Sequence, residues 1–361
     1  MSLDSDLLHM RHALALGQRG LGNSWPNPAV GCIIVAETCI VGRGWTQPGG
    51  RPHAETMALA QAGPRAKGAT AYVTLEPCAH HGHTPPCAAA LVKAGITRVV
   101  SATTDPDPRV SGKGLAMLRA AGITVTEGVA EAEARRTNHG FFLRVEQNRP
   151  HITLKLATSL DGRIATASGQ SRWITGPEAR RAVHALRGRH DAVMVGIGTA
   201  LADDPDLTIR DLGYVHQPVR VVIDSALRLP LTARLTQTAR DVPLWLCHAE
   251  GASGTALHHA GARLIRCRKS DQGQDMHDVL AQLADAGLTR ILCEGGAAIA
   301  AALLSAKLVD DLVLYTAGRL FGATGTAAIA SLGDVALGST PEFQLIDQRP
   351  VGADLMQHWR R

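Results

Sequence analysis

His53–Gly63, HAETMALAQAG, and Glu76–Cys87, EPCAHHGHTPPC, are the two stretches on which the reading of this chain turns. In the first, a His and a Glu stand two apart at the head of an alanine-rich helix that Gly63 closes. In the second, two cysteines nine apart bracket a His-rich loop, and Cys87 follows Pro85 and Pro86 into another helix. These residue types admit three readings: a metal site, a nucleophile with its base, or helix caps beside small buried thiols. His80, His81 and His83 are rival ligands in the same loop.

Outward from these stretches, strands and helices alternate. VGCIIVA from Val30 and CIVGRGWT from Cys39 read as a hairpin pair, and TAYVTLE from Thr70 as a strand. CAAALVKAG reads as a helix stopped by Gly95. TRVVSAT, GLAMLRAAG and ITVTEG follow as strand, helix and strand. This pattern predicts a compact αβα sandwich. EAEARRTNHGFFLRVEQNRP reads as a polar helix running to a break at Asn148-Arg149-Pro150, which places one domain over 1–147 and another over 148–361. In the second domain HITLKLATSLDGRIA reads as strand, turn, strand, with Asp161-Gly162 as a hairpin turn. GPEARRAVHALRG and AAIAAALLSAKL are helical. DAVMVGIGTAL, VRVVIDS, PLWLCHA, ARLIRC, RILCEGG and DDLVLYTAG read as strands of a second α/β domain.

The composition narrows the function. The 361 residues are 45% hydrophobic, enough for two ordinary domains. Aromatics are only 3%, so the cores must rest on Ala, Val, Leu and Ile. A formal net charge of +5 without a basic run is too mild and dispersed to argue for nucleic acid, and it suits a small anionic substrate equally well. There is no 18-residue apolar stretch and no leader-like segment, so neither a membrane nor export is expected. Seven dispersed cysteines point to free thiols in a reducing cytoplasm.

His53, Cys78 and Cys87 are the ligand types that tetrahedral zinc prefers, and both helix starts favour a thiolate. Three protein ligands leave a fourth position open, which is the catalytic arrangement. Glu55, two past the His, can lean toward that position without binding the metal and carry a proton from attacking water to leaving amine. His-x-Glu followed by Pro-Cys-x-x-Cys marks zinc nucleobase deaminases. The nine-residue cysteine spacing departs from that pattern. An RNA or nucleotide base deaminase with an accessory domain is one alternative, and a zinc-stabilised regulatory protein another.

The second half carries weaker signals. GIGTAL lacks the third glycine of a dinucleotide fingerprint and alone reads as a tight turn. In CEGGAAIAAALL a strand ends at Glu294, two glycines turn the chain, and a helix begins with free N–H groups that suit a pyrophosphate. Arg187 and Arg210 are either solvated charges or phosphate ligands.

PNPAVGCIIV, PHAE, AYVTLEPCAHHGHTPPC and DPDPRVSGKG closely resemble the family of bifunctional riboflavin-biosynthesis deaminase/reductases. The resemblance continues through LKLATSLDGRIA, SRWITG, VGIGTALADDPDLTIR, VIDS and EGGAAIAAALL, and the nine-residue cysteine spacing belongs to that family. It implies a cytidine-deaminase-like αβα sandwich followed by a dihydrofolate-reductase-like α/β domain. It also implies Zn2+ on His53, Cys78 and Cys87, with Glu55 as the catalytic residue. NADPH should be lined by Ala157, Trp173, Thr199, Asp203, Ser225 and the stretch Gly296, Ala297, Ala298, Ile299, Ala300, Ala301 and Ala302. Ser171, Arg187, Leu207, Arg210 and Glu294 should face the substrate, a phosphorylated pyrimidine. A cytoplasmic homo-oligomer, dimer or tetramer, is expected, without nucleic-acid or membrane partners.

Overall fold

The computed structural model describes residues 3–80, 85–108, 110–270, 273–334 and 336–361. The chain divides into two compact units, Met1–Gln147 and Asn148–Arg361. The first contains α1 (Leu3–Gly17), β1 (Gly31–Ala36), β2 (Cys39–Trp45), α2 (Ala54–Ala62), β3 (Thr70–Val73), α3 (Cys87–Lys93), β4 (Arg98–Ser101), α4 (Lys113–Ala120), β5 (Thr124–Glu127), α5 (Glu131–Thr137) and α6 (His139–Gln147). Its sheet, among the described residues, has the order β2-β1-β3-β4-β5. β1 is antiparallel to both neighbours, and β3, β4 and β5 run parallel.

Side-chain alternation along the strands sorts the two layers. Cys32, Ile34, Ala71, Val73 and Val99 pack against α2, α3 and α4. Ile33, Val35, Tyr72 and Val100 pack against Met10, Ala13 and Leu14 of α1 and Ala134 of α5. The α2 layer lies unusually close to the sheet. A Cβ added at Gly44 would sit 2.1 Å from the Ala54 carbonyl oxygen, and one at Gly42 would sit 2.2 Å from that of Ala58. The segment read as one polar helix is broken into α5 and α6 at Asn138. Its buried side chain accepts from Ala29 N (2.8 Å) and donates to Ala29 O (3.1 Å), clamping the chain before β1.

The second unit contains β6 (His151–Ser159), β7 (Arg163–Ala165), α7 (Pro177–Arg187), β8 (Ala192–Gly196), α8 (Ile197–Asp203), β9 (Val219–Ile223), α9 (Arg234–Gln237), β10 (Leu244–Ala249), α10 (Thr255–His259) and β11 (Arg263–Cys267). It continues with β12 (Lys269–Ser270), β13 (Gly273–Gln274), α11 (Met276–Asp285), β14 (Arg290–Cys293), α12 (Ala297–Ser305), β15 (Asp311–Ala317), β16 (Thr326–Ala327), β17 (Gln344–Val351) and β18 (Asp354–Arg360). Among the described residues the main sheet has the order β11-β10-β9-β8-β14-β6-β15-β18-β17. It is parallel from β11 to β15, and β18 and β17 close it antiparallel. β14 enters between β8 and β6, so chain order reverses there. Ligands of open α/β sheets bind outside the strand C-termini at such a point.

Two readings of this unit need correction. DAVMVGIGTAL is strand only to Gly196 and continues as α8, because extended Gly196 caps a helix rather than prolonging β8. Asp161-Gly162 does not make a hairpin, since β7 pairs with β16. The Asp161 carboxylate accepts from Phe321 N (3.2 Å) and Gly322 N (2.7 Å), which steers the chain away from β6. Among the described residues no helix is long and apolar enough to cross a membrane.

Candidate active sites

The first site stands at the C-terminal side of β3. His53 is the extended N-cap of α2, and Glu55 lies in the first turn. Cys78 follows β3, and Cys87 opens α3 behind extended Pro86. The fold thus brings together two helix starts and one loop. His53 Nδ1 lies 3.7 Å from Cys78 Sγ and 3.3 Å from Cys87 Sγ. Cys87 N donates to Cys78 Sγ at 3.3 Å. All three donor atoms fall within 4.8 Å of one another. Tetrahedral zinc with ordinary Zn–S and Zn–N bonds needs donor separations of about 3.5–3.8 Å, so the donor set fits zinc in both chemistry and spacing. His80 is exposed and His81 and His83 lie outside the described residues, so the described cluster is built on His53.

The electrostatics suit a cation. The hydrogen bond from Cys87 draws the Cys78 thiol down to about 4, against burial, and His53 adds to the pull. The hydrogen bond with Cys78 and burial push the Cys87 thiol up. A hydrogen bond to Cys78 raises His53. Glu55 is 4% exposed, and burial raises its carboxyl to about 7 despite the neighbouring His53. A carboxyl poised near neutrality can both take and give a proton.

Glu76, two residues before Cys78, was not singled out by the sequence reading. Its buried carboxylate accepts from Gly114 N (2.8 Å), Gly112 N (2.9 Å), Asp105 N (3.2 Å) and Leu115 N (3.4 Å). One side chain therefore caps α4 and ties the loop 105–112 to the segment that carries Cys78.

The second site lies along the C-terminal edge of the large sheet. Ala157 is on β6, Thr199 and Asp203 on α8, Ser225 just after β9, and Glu294 just after β14. Gly296 is the N-cap of α12, and its N–H donates to Thr199 Oγ1 at 3.0 Å. Ser171 and Trp173 precede α7, where Trp173 is 60% exposed with the Arg180 guanidinium 4.6 Å from its ring. Arg172 bridges this loop to the Asp203 carbonyl. The open N-terminus of α12, the glycine turn before it and the exposed indole fit a dinucleotide. A Cβ at Gly295 would collide with Ile299 at 2.1 Å, so the turn demands glycine.

Arg187 and Glu294, both expected to face substrate, are joined to each other. Arg187 Nε donates to Glu294 Oε1 (2.6 Å), Nη2 to Oε2 (2.9 Å) and Nη1 to Thr208 O (2.6 Å). Both side chains are nearly buried, at 11% and 10% exposure. Burial pushes Glu294 up, but the Arg187 charge and hydrogen bond and the Lys155 charge bring it down to about 2. Lys155, on β6 two residues before Ala157, is a third charged member that the sequence reading missed. Burial lowers its ammonium, and the Glu294 charge opposes that. Arg210 is exposed and paired to Asp206 at 2.8 Å. Leu207 is 4% exposed and packs into the core beside Val193 and Leu229, and Ile299, Ala300 and Ala301 are also buried. The side chains of these four residues do not line an open surface, because the loop and α12 need them to cover the sheet.

Comparison with known proteins matches both halves. Residues 3–103 match the cytidine and deoxycytidylate deaminase zinc-binding region, and residues 150–356 match the RibD C-terminal domain. The chain is 40% identical to the riboflavin biosynthesis protein RibD of Aquifex aeolicus, covering 100% of each. It is 42% identical to that of Escherichia coli, covering 98% of each. The structure of Acinetobacter baumannii RibD superposes with a TM-score of 0.90 at 38% identity, covering 99% of each chain. A Thermotoga maritima diaminohydroxyphosphoribosylaminopyrimidine deaminase/5-amino-6-(5-phosphoribosylamino)uracil reductase does so with 0.86 at 32%, also covering 99% of each. A deaminase-type zinc region and a reductase domain in one chain, matched end to end by such relatives, mean that this chain belongs to the RibD family of bifunctional riboflavin-biosynthesis enzymes.

Proposed function

We propose that the site around His53 removes the 2-amino group of a diamino-ribosylamino-pyrimidinone 5′-phosphate, and that the site around Glu294 reduces the ribosyl group of the product to ribityl. The observation that carries the first half is one buried Glu beside a His/Cys/Cys donor set of zinc-like spacing. His53, Cys78 and Cys87 would hold the zinc, which when bound makes a water acidic enough to be the nucleophile near neutral pH. Glu55 would take the proton from the attacking water as it adds to the amino-bearing carbon. It would then deliver that proton to the departing nitrogen, which leaves as ammonia while the water's oxygen stays on the ring carbon. Burial keeps Glu55 out of bulk water, so the proton it holds goes to the substrate. The Cys87 amide and the start of α3 stabilise thiolate on Cys78.

In the second unit the start of α12, Thr199 and the Trp173 face would hold NADPH, which when bound supplies the hydride. The chain's own task is orientation. Arg187, Glu294 and Lys155 form a fixed charged floor beside Ala157, against which the sugar is placed. Two N–H groups of Arg187 are left, because three of its five donors are engaged. Arg210, at the surface, is suited to the 5′-phosphate. The domains 1–147 and 148–361 carry one reaction each. The working form is a cytoplasmic homo-oligomer, a reading supported by seven unpaired cysteines and by exposed Leu345, Ile346 and Leu355 on the β17–β18 hairpin. Two assays on the zinc-loaded protein test the assignment: ammonia release from the diamino substrate, and NADPH oxidation with the deaminated product. Absence of either activity removes the corresponding half.

A further inference from the structure

The turn of the β17–β18 hairpin lies at the same edge of the large sheet as the second site. Ala157 of β6 pairs with Tyr315 of β15, and Tyr315 with Met356 of β18. β18 is antiparallel to β15, so Asp354, two residues before Met356, stands beyond that row toward the C-terminal end of β15. α7 packs over the row: Ala179 and Val183 share a core with Tyr315 and Met356, and Ala157 packs against it. The loop that carries Ser171 and Trp173 leads directly into the first turn of α7.

That helix start has no local cap. Gly176 is the N-cap and has no side chain, and the third helical residue, which could reach back to the Gly176 N–H, is Ala179. The acceptor comes instead from 178 residues further on, where Asp354 Oδ2 takes the Gly176 N–H at 2.7 Å. Asp354 is 6% exposed, and among the described residues no cation pairs with it. A buried carboxylate is therefore committed to an amide at the positive end of a helix. The hairpin turn is fitted to the same place, since a Cβ added at Gly352 would sit 2.5 Å from Glu178 Oε2. From Gly176 the tether continues toward the site. The Thr175 carbonyl accepts Arg180 Nη1 at 2.8 Å, and the Arg180 guanidinium lies 4.6 Å from the Trp173 ring. Ile174, between Trp173 and Thr175, is buried. The exposed indole is located from behind, by contacts that start at Asp354.

We propose that Asp354 is a positioning residue of the reductase: through the Gly176 amide it holds the loop 171–175 so that Trp173 presents its face to the nucleotide. This inference rests on the reductase reading above. A loop that wanders has to be ordered when the nucleotide binds, and that cost appears in affinity rather than in the hydride step.

The test is a double-variant cycle on the zinc-loaded full-length protein. NADPH is titrated by calorimetry into the wild type, Asp354→Ala, Asp354→Asn, Trp173→Ala and Asp354→Ala/Trp173→Ala, and NADPH oxidation is followed with deaminated substrate. Asp354→Ala should weaken NADPH about tenfold, the lower scale of a charge-assisted hydrogen bond, and raise its KM with little change in kcat. Asp354→Asn keeps an oxygen that accepts the amide proton and should stay near wild type. In the Trp173→Ala background the loss of Asp354 should change affinity by less than about twofold, because the side chain it positions is gone. Ammonia release should be the same in all five proteins. If Asp354→Ala does not fold, Asp354→Ser, too short to reach Gly176 N, replaces it with the same expectation. NADPH affinity in Asp354→Ala within about twofold of wild type overturns the proposal. So does an undiminished loss in the Trp173→Ala background, which would mean that Asp354 acts through the fold as a whole. An Asp354→Asn variant as weak as the alanine variant overturns it too, since charge and not the hydrogen bond would then be at work. If the wild-type protein binds no NADPH, the reductase reading itself falls.

Discussion

Replacing Arg187 by Met would leave the Glu294 carboxylate buried against a neutral side chain. In the wild-type protein that carboxylate lies at about 2, below the usual value near 4.3, because Arg187 and Lys155 outweigh its burial. A depressed acid contributes stability above its unfolded pKa and loses it as pH falls through the folded value. The pair therefore supports the second unit fully at neutral pH, and its contribution fades only between about pH 4.3 and 2. Removing one partner of a buried, doubly hydrogen-bonded ion pair costs about 3–5 kcal/mol. That is a large share of the roughly 5–15 kcal/mol that holds a domain together. Amide hydrogen exchange on peptides from β8 and β14 reads this unit alone. Its slowest amides should exchange roughly 10²- to 10⁴-fold faster in Arg187→Met. The deficit should narrow on acidification, because the orphaned carboxyl can then take up a proton. The double variant Arg187→Met/Glu294→Gln should recover much of the loss. A single-variant cost under about 1 kcal/mol, the scale of a surface pair, would refute the reasoning. So would a double variant no more stable than the single.

Other expectations follow from the same geometry. Glu55→Gln should cut ammonia release by roughly 10²-fold or more, keep its zinc by metal analysis, and still oxidise NADPH with deaminated substrate. Loss of the zinc would make Glu55 a ligand instead. Cys78→Ser and Cys87→Ser should each lower zinc content, whereas Cys39→Ser, at an exposed position, should not. Glu76→Gln should loosen the loop 105–112 by about 1–3 kcal/mol and raise KM for deamination with zinc retained. An unchanged KM would mean that the loop does not touch substrate.

The legible parts of this protein were the local ones. His53 and Glu55 share one helix start, and Cys87 announces its own through two prolines, so spacing alone brings the chemistry into view. The alternation of β3 to β5 with α3 and α4 was equally open, because each helix ends on glycine. What spacing could not reveal was long-range pairing. Arg187 and Glu294 are 107 residues apart, and nothing local separates a solvated arginine from one locked to a buried carboxylate. Lys155 stood in an apolar strand, a visible anomaly whose meaning depends on β14 lying beside β6. Leu207 illustrates the converse, since a small signal in a motif cannot tell a ligand contact from a core residue. The two misread segments around Gly196 and Asp161 failed for a related reason. The turn at Asp161 is decided by Phe321 and Gly322 from far along the chain, and α8 after Gly196 is tied by its own Thr199 to Gly296 of the distant α12 turn.

The close seating of α2 on the first sheet bears on how this enzyme can vary. The helix presents alanines, not large side chains, and it is located by backbone oxygens resting on Gly42 and Gly44. Such a joint has no slack: one added methyl on either strand residue must lift the whole helix. His53 and Glu55 ride on its first turn, so they would shift together, as a tool moves with its handle. Positions that never meet the substrate therefore govern the register between metal and proton carrier. Variation in a population of such enzymes should be as restricted on this hairpin as at the site itself, while the outer face of α2 is free to drift.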